Sequence, residues 1–274
     1  MKHGLAAARV AASSGRRGTQ GGFTLVELSV VLAVIGLIIG AMAIGKDVQR
    51  NAEYTKVKNK FIDQWEQSYN QYYQRTGVVV GDSQIAPRLM VNGLGYTVAA
   101  GVPISGGDMT AVAAGDVPRV CDKADGGGMT TRGTAVTTLR TLMTQTGVRM
   151  PPGRAEGFED RYVYLDSNGN PQEVQVCFQW NPPASADGAG NVMIISGLTP
   201  DLARMLDQIT DGKPDAQEGR FRLQGIDNGT PNAPGVQWNR TNDDSIDSAG
   251  AAGDDTRLDE NQVATVVAVY KMNQ

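Results

Sequence analysis

From Leu28 to Gly45 the chain runs 18 residues without a charge, bounded by Glu27 before and Lys46 after. A run of that length is enough for a membrane-spanning helix. Beyond it, apolar residues recur at Tyr54, Val57, Phe61, Trp65, Tyr69 and Tyr72, spacings of three and four that trace one helical face. Lys56, Lys58, Asn59, Lys60, Asp63 and Gln64 fill the other face, and Gly77 followed by Val78-Val79-Val80 marks a stop. The pattern predicts one helix from Phe23 to about Arg75, roughly 80 Å long at about 1.5 Å per residue. Its first half is apolar all round. Its second half lays an aromatic stripe on a globular head, with Trp65 and the tyrosines read as core.

The remaining pattern is shorter-ranged. Residues 81–133 hold many Gly, Ala and Asp residues without a sustained period, which predicts loops with short strands. Thr134 to Thr146 places Ala135, Leu139, Leu142 and Met143 at helical spacing. Tyr162–Leu165 and Val174–Trp180 flank Asp166-Ser-Asn-Gly-Asn-Pro171 and predict a hairpin. Val174, Val176, Phe178 and Trp180 share one face of it, so Cys177 points to the other. Asn191–Ile195 reads as a further strand. Thr199-Pro200-Asp201 opens a helix through Leu202, Met205, Leu206 and Ile209 that ends near Asp211-Gly212, with Thr199 as N-cap. A strand around Phe221–Leu223 follows. Residues 226–258 are rich in Asn, Asp, Gly, Ser and Ala and predict a long, exposed, mobile loop. Val263–Met272 fits a final strand. The whole predicts an α+β fold: one long helix against an antiparallel sheet, with insertions.

The residues before the apolar run change the picture. They read Gly21-Gly22-Phe23-Thr24-Leu25-Val26-Glu27-Leu28, with Glu27 at the edge of the span. A charge buried there costs about 2.5–3.5 kcal/mol and asks for a partner. Nothing basic lies within a turn. A cut after Gly22 would create one, because the new ammonium on Phe23 stands four residues before Glu27 on the same helix face. Glu27 also suits the positive end of the helix dipole. A secretory signal peptide fits less well, since its apolar region runs only about 7–15 residues. An ordinary single-pass anchor stays open on charge alone, because Lys2, Arg9, Arg16 and Arg17 are balanced by Lys46, Arg50, Lys56, Lys58 and Lys60.

This stretch of about 25 residues resembles the processing site of type IV prepilins and type II secretion pseudopilins: a basic leader ending in glycine, then Phe-Thr-Leu-aliphatic-Glu, then an apolar helix. The resemblance implies a leader over 1–22, a spine helix over 23–76 and a periplasmic or extracellular head over 77–274. It implies a prepilin peptidase that cuts between Gly22 and Phe23 and methylates the new terminus. The subunit would wait in a bacterial inner membrane with its head in the periplasm, then join other pilin or pseudopilin subunits through an assembly platform. The product is a cell-surface or periplasmic filament, in which Glu27 neutralises the ammonium of a neighbour or its own. Gly36 and Gly40 form a small-x-x-x-small pair that permits close helix packing, although glycine is common in membrane helices generally. The large, loop-rich head suits a minor pilin or pseudopilin. A second reading, an adhesin or ligand-binding module carried on the filament, rests on the 81–133 and 226–258 loops.

Composition narrows the chemistry. The 274-residue chain has its only histidine, His3, in the leader, which leaves a mature part without Ser-His-Asp, Cys-His or most zinc chemistry. No enzymatic constellation is present. Without the leader the chain holds 21 Lys+Arg against 29 Asp+Glu, a net charge of −8 that argues against nucleic acid as a partner. Cys121 and Cys177 are the only cysteines, and in an exported protein they read most simply as one disulfide, with a pair of buried thiols as the alternative. No cofactor is expected apart from calcium. Asp166, Asn168, Asn170 and Glu173 set oxygen ligands at alternating positions, like the start of an EF-hand loop without its length. The same residues are those of an ordinary hairpin turn, the favoured reading. Asp207, Asp211, Asp215 and Glu218, and Asp243, Asp244 and Asp247, are weaker calcium candidates.

Overall fold

The computed structural model describes residues 22–94, 119–120, 125–126, 129–130, 138–181, 185, 188–225, 235, 238, 243–245, 258–263 and 265–272. The chain divides into two compact units between Val48 and Gln49. Helix α1 (Leu25–Val57) runs through that division.

In the first unit every described residue is exposed. Leu25, Val26, Leu28, Leu32, Leu37 and Ile39 all stand largely free of contact. With α2 the helical stretch extends from Leu25 to Thr76, 52 residues, long and apolar enough in its first part to cross a membrane.

In the second unit the helix is not a plain α-helix. A π turn over Lys58–Ile62 separates α1 from α2 (Asp63–Thr76). Val57, Phe61, Trp65 and Tyr69 follow one another at intervals of four, which in a straight α-helix drift steadily round the axis. A π turn closes its hydrogen bonds over five residues and absorbs the drift. Lys58 and Asp63 form an ion pair across it at 2.6 Å, although five residues would stand about 140° apart on an α-helix. The sequence pattern showed the stripe but not this bulge. Gly77 ends α2 with a left-handed φ of 76° that only glycine adopts freely, its N–H donating to the Tyr73 carbonyl at 2.8 Å.

The sheet is antiparallel throughout. Its strands are β1 (Arg119–Val120), β4 (Arg161–Leu165), β5 (Pro171–Asn181), β6 (Gly190–Leu198), β7 (Phe221–Leu223) and β10 (Val266–Lys271). The order is β1-β5-β6-β10-β7, with β4 also paired to β5. Strands β1 and β4 share one edge of β5 end to end: β4 takes Pro171–Gln175 and β1 takes Phe178–Gln179. Two smaller pairings, β2 (Asp125–Gly126) with β3 (Met129–Thr130) and β8 (Asp243–Ser245) with β9 (Leu258–Val263), lie outside this sheet. Helix α3 (Leu139–Gln145) starts at Thr138, whose hydroxyl accepts from the Thr141 N–H, and α4 spans Pro200–Asp211. Residues 134–137, where the sequence pattern began the α3 helix, lie outside the described residues.

The aromatic stripe packs on the sheet. Trp65 and Tyr69 both meet the Phe178 ring, at centroid distances of 6.1 and 5.0 Å, while Tyr54 meets Tyr164 and Phe61 meets Tyr162. Polar anchors fix the register of helix on sheet. Trp65 Nε1 donates to the Glu159 carbonyl at 3.2 Å, Tyr54 donates to Asp201 Oδ2 at 2.6 Å, and Glu66 receives both Arg220 and Tyr270. Val174, Val176, Phe178 and Trp180 all enter this core, as the alternation predicted. The opposite face of β5 is buried too. Cys177 packs there with Val192, Ile194 and Val269, and the buried Gln175 donates to Asp160 Oδ2 at 2.7 Å.

Candidate functional site: the amino-terminal motif

Gly22, Phe23 and Thr24 precede the helix in non-helical backbone, and all three are exposed. The Gly22–Phe23 bond therefore lies outside regular structure, where a peptidase can bind it in extended form. A Cβ built on Gly22 would meet nothing within 4 Å. The fold of the chain does not demand glycine at this position.

Thr24 and Glu27 hold the helix start between them. Glu27 Oε2 accepts from the Thr24 N–H at 2.9 Å and from its hydroxyl at 3.0 Å, while Thr24 Oγ1 accepts from the Glu27 N–H at 3.3 Å. This reciprocal arrangement is a capping box, which satisfies amide donors that a helix start leaves open. The Thr-x-x-Glu spacing ahead of an apolar run was a legible signal for it, and reading Glu27 through its charge alone, as an ion-pair partner and a complement to the helix dipole, missed it. In the uncleaved chain, then, Glu27 has a local hydrogen-bonding role besides its position four residues from Phe23.

Gly36 and Gly40 lie on the exposed apolar helix, and a Cβ on either meets nothing within 4 Å. Their small size serves no packing among the described residues. The leader up to residue 21 lies outside the described residues.

The calcium candidates in the head are otherwise engaged. Asp166 Oδ1 accepts from the Asn168 and Asn170 N–H groups, both at 2.8 Å, and Oδ2 accepts from Gln172 Nε2 at 3.0 Å. That is the bonding of an Asx turn closing the β4–β5 hairpin. Glu173 pairs with Arg154 at 2.7 Å and Arg161 at 2.6 Å. Asp211 accepts from the Arg220 and Phe221 N–H groups, and Asp215 pairs with Lys213 at 2.8 Å. Among the described residues no group of three or more acidic, His or Cys side chains is gathered to hold a metal ion. Asp244 and Asp243 fall where only backbone is described, and Asp247 lies outside the described residues.

Two further expectations meet corrections. Thr199 has the extended backbone of an N-cap, but its side chain makes no cap hydrogen bond. Tyr164 orders that corner instead, accepting from the Thr199 N–H at 3.0 Å and donating to the Gly197 carbonyl at 3.1 Å, and burial pushes its own hydroxyl up to about 12. The 226–258 stretch, read as an exposed loop, contains Trp238, which is 1% exposed and stacks on Phe221 at 5.6 Å. A lone tryptophan in a polar stretch was the available hint, since a large apolar ring seldom goes unpartnered. Met90 and Val91, within the loop predicted over 81–133, are likewise fully buried, with Val91 N–H donating to Asn191 Oδ1 at 2.9 Å. Cys177 is buried with Sγ 3.3 Å from the Val120 carbonyl, and Cys121 lies outside the described residues.

Residues 17–43 match the model of the prokaryotic N-terminal methylation motif. The chain carries the type IV pilin and pseudopilin signature. The match covers Gly22, Phe23, the capping box and the apolar run through Gly40, the residues whose exposure the fold of this pilin-like chain leaves unexplained. No curated protein and no solved structure matches the chain. The motif implies processing by a prepilin peptidase and assembly with other pilin subunits, and the apolar helix is consistent with membrane anchoring beforehand.

Proposed function

We propose that this chain is a minor pilin or pseudopilin, a structural subunit without catalytic activity of its own. The observation that carries the reading is the matched motif opening onto a wholly exposed apolar helix. Before assembly that surface is covered by lipid of the inner membrane, and afterwards by the same helix of neighbouring subunits. Cleavage after Gly22 gives Phe23 a free ammonium next to Glu27. Two opposite charges entering an apolar core are tolerable only as a pair, because each alone carries a desolvation penalty of several kcal/mol. Glu27 then leaves its capping hydrogen bonds or shares them with the ammonium of its own chain or a neighbour. The head, with its core closed on both sides of β5, presents loops to the outside of the filament.

The deciding experiment is mass spectrometry of the intact chain and its amino-terminal peptide, from cells with and without a prepilin peptidase. A chain beginning at methylated Phe23 only when the peptidase is present supports the reading. A chain that keeps its leader, or is cut after the apolar run, overturns it. Glu27→Leu should leave membrane insertion intact and lower filament incorporation, and normal incorporation would remove the role given to Glu27.

A further inference from the structure

The head contains a carboxyl on α4 whose surroundings do not suit a carboxylate. Asp207, in the middle of α4, is fully buried. Its Oδ2 accepts two hydrogen bonds, from the Asp215 N–H and from Trp238 Nε1, each at 2.7 Å. Its Oδ1 is buried and has no partner among the described residues. Both donors crowd one oxygen, and the other has no partner among the described residues. A carboxylate buried with one oxygen unpartnered and no cation beside it is costly, whereas a neutral acid keeps both bonds on a carbonyl-like Oδ2.

The charges around it favour that proton. Asp211, one turn later on α4, adds a negative charge and spends Oδ2 on the Arg220 and Phe221 N–H groups. Asp215 faces Lys213 at 2.8 Å and the Gln217 and Glu218 N–H groups, and Lys213 also reaches Glu218. Arg220 turns its guanidinium away, to Glu66 and over the Tyr270 ring. Arg204, one turn earlier, gives its Nε to the Pro200 carbonyl. Among the described residues no cation pairs with Asp207. Burial, in the first place, pushes its carboxyl up to about 7; the Trp238 and Asp215 donors pull against it, and Asp211 adds to the rise.

The two bonds made by Oδ2 tie distant parts of the chain together. Asp215 lies just beyond the end of α4, and Trp238 lies 31 residues from Asp207 with its ring on Phe221 of β7. We propose that Asp207 is a buried proton-binding site, and that the bound proton fastens the segment around Asp215 and Trp238 to α4. The head is thereby tightened in acid and loosened as the proton is lost. The direction follows from linkage. A carboxyl held above its unfolded value of 3.8 contributes its full stabilisation below that pH and loses it as pH rises to about 7.

The test uses the full chain in detergent micelles. Hydrogen exchange, corrected for intrinsic rates, is followed in peptides covering 212–223 and Trp238. Opening of the segment should become about thirtyfold more favourable between about pH 5.5 and about pH 8, the change a carboxyl moving from 3.8 to about 7 dictates. Asp207→Asn, which keeps an uncharged acceptor, should flatten that dependence to within about threefold. A carbon-13 titration of the Asp207 carboxyl in the unmodified chain should show a midpoint near 7. A flat profile in the unmodified chain, unchanged pH dependence in Asp207→Asn, or a midpoint in the ordinary carboxylate range would each overturn the proposal.

Discussion

The stretches 25–45 and 54–72 belong to one long helical run, the first apolar all round and the second apolar along one stripe, yet it is the second that is buried. In the first, Leu37 is 75% exposed and no described residue is buried. In the second, Trp65 is 1% exposed and its neighbours along the stripe meet Phe178, Tyr162 and Tyr164. The polar chemistry differs in parallel. Residues 54–72 send side-chain bonds to distant parts of the chain, Tyr54 to Asp201 and Trp65 to the Glu159 carbonyl, whereas the side chains of Thr24 and Glu27 bond within the first turn. An apolar surface with a built-in partner stabilises the fold. An apolar surface without one is a surface for something outside the chain.

The comparison breaks first at its largest contrast. Trp65→Ala should remove about 3–5 kcal/mol from unfolding of the head, because it opens a cavity under Phe178. Leu37→Ala should change the same unfolding by less than about 0.5 kcal/mol. Denaturant melts of both variants in micelles check the pair, and equal effects would dissolve the distinction. Next comes a bridge between Cys177 and Cys121, which we propose forms across the buried back of the sheet. Reduction should then lower stability of the head by about 2–5 kcal/mol and shift mobility on non-reducing gels, with residues 23–48 unaffected. An unchanged melt in reductant would mean two buried thiols instead.

Glycines sharpen the contrast further. Gly197 has φ +78° and a Cβ there would lie 2.0 Å from the Glu173 carbonyl oxygen, so Gly197→Ala should cost at least about 2 kcal/mol. Gly36→Ala meets nothing in the subunit and should leave the melt unchanged while lowering filament yield. Loss of stability in Gly36→Ala with normal filaments would reverse the assignment. The smallest effect belongs to the capping box. Thr24→Val should weaken the helix start by about 1 kcal/mol, seen as faster amide exchange over residues 24–28, with the head unmoved.

Much of this architecture was legible because it rests on local periodicity. The stripe from Tyr54 to Tyr72, the Asp166–Asn170 turn with its flanking strands, and the Pro200–Asp211 helix each announce themselves within a few residues. The observed strand Phe221–Leu223 and helix end at Gly212 lie where the pattern put them. The π turn was not legible, because a bulge is chosen by the surface it must fit and the stripe reads equally well without it. Trp238 was misplaced with its loop, and the burial of Met90 and Val91 was not legible either, since burial there comes from partners far along the chain. Val91 bonds to Asn191, and Trp238 to Asp207. The capping box was legible and was overlooked in favour of the charge argument.

By itself the sequence determined the apolar spine, the motif at Gly22–Phe23 and Glu27, the confinement of histidine to position 3 and the α+β class. These follow from residue type and short-range spacing, which act on the unfolded chain as well as the folded one. Only the tertiary structure decided that β5 is buried on both faces, that β10 lies inside the sheet between β6 and β7, and that Asp166 holds a turn while Glu173 pairs with two arginines. It also decided that Asp207 is buried with no cation paired to it among the described residues. Such outcomes depend on which distant segments meet, and burial, not residue identity, sets whether a carboxyl keeps its charge.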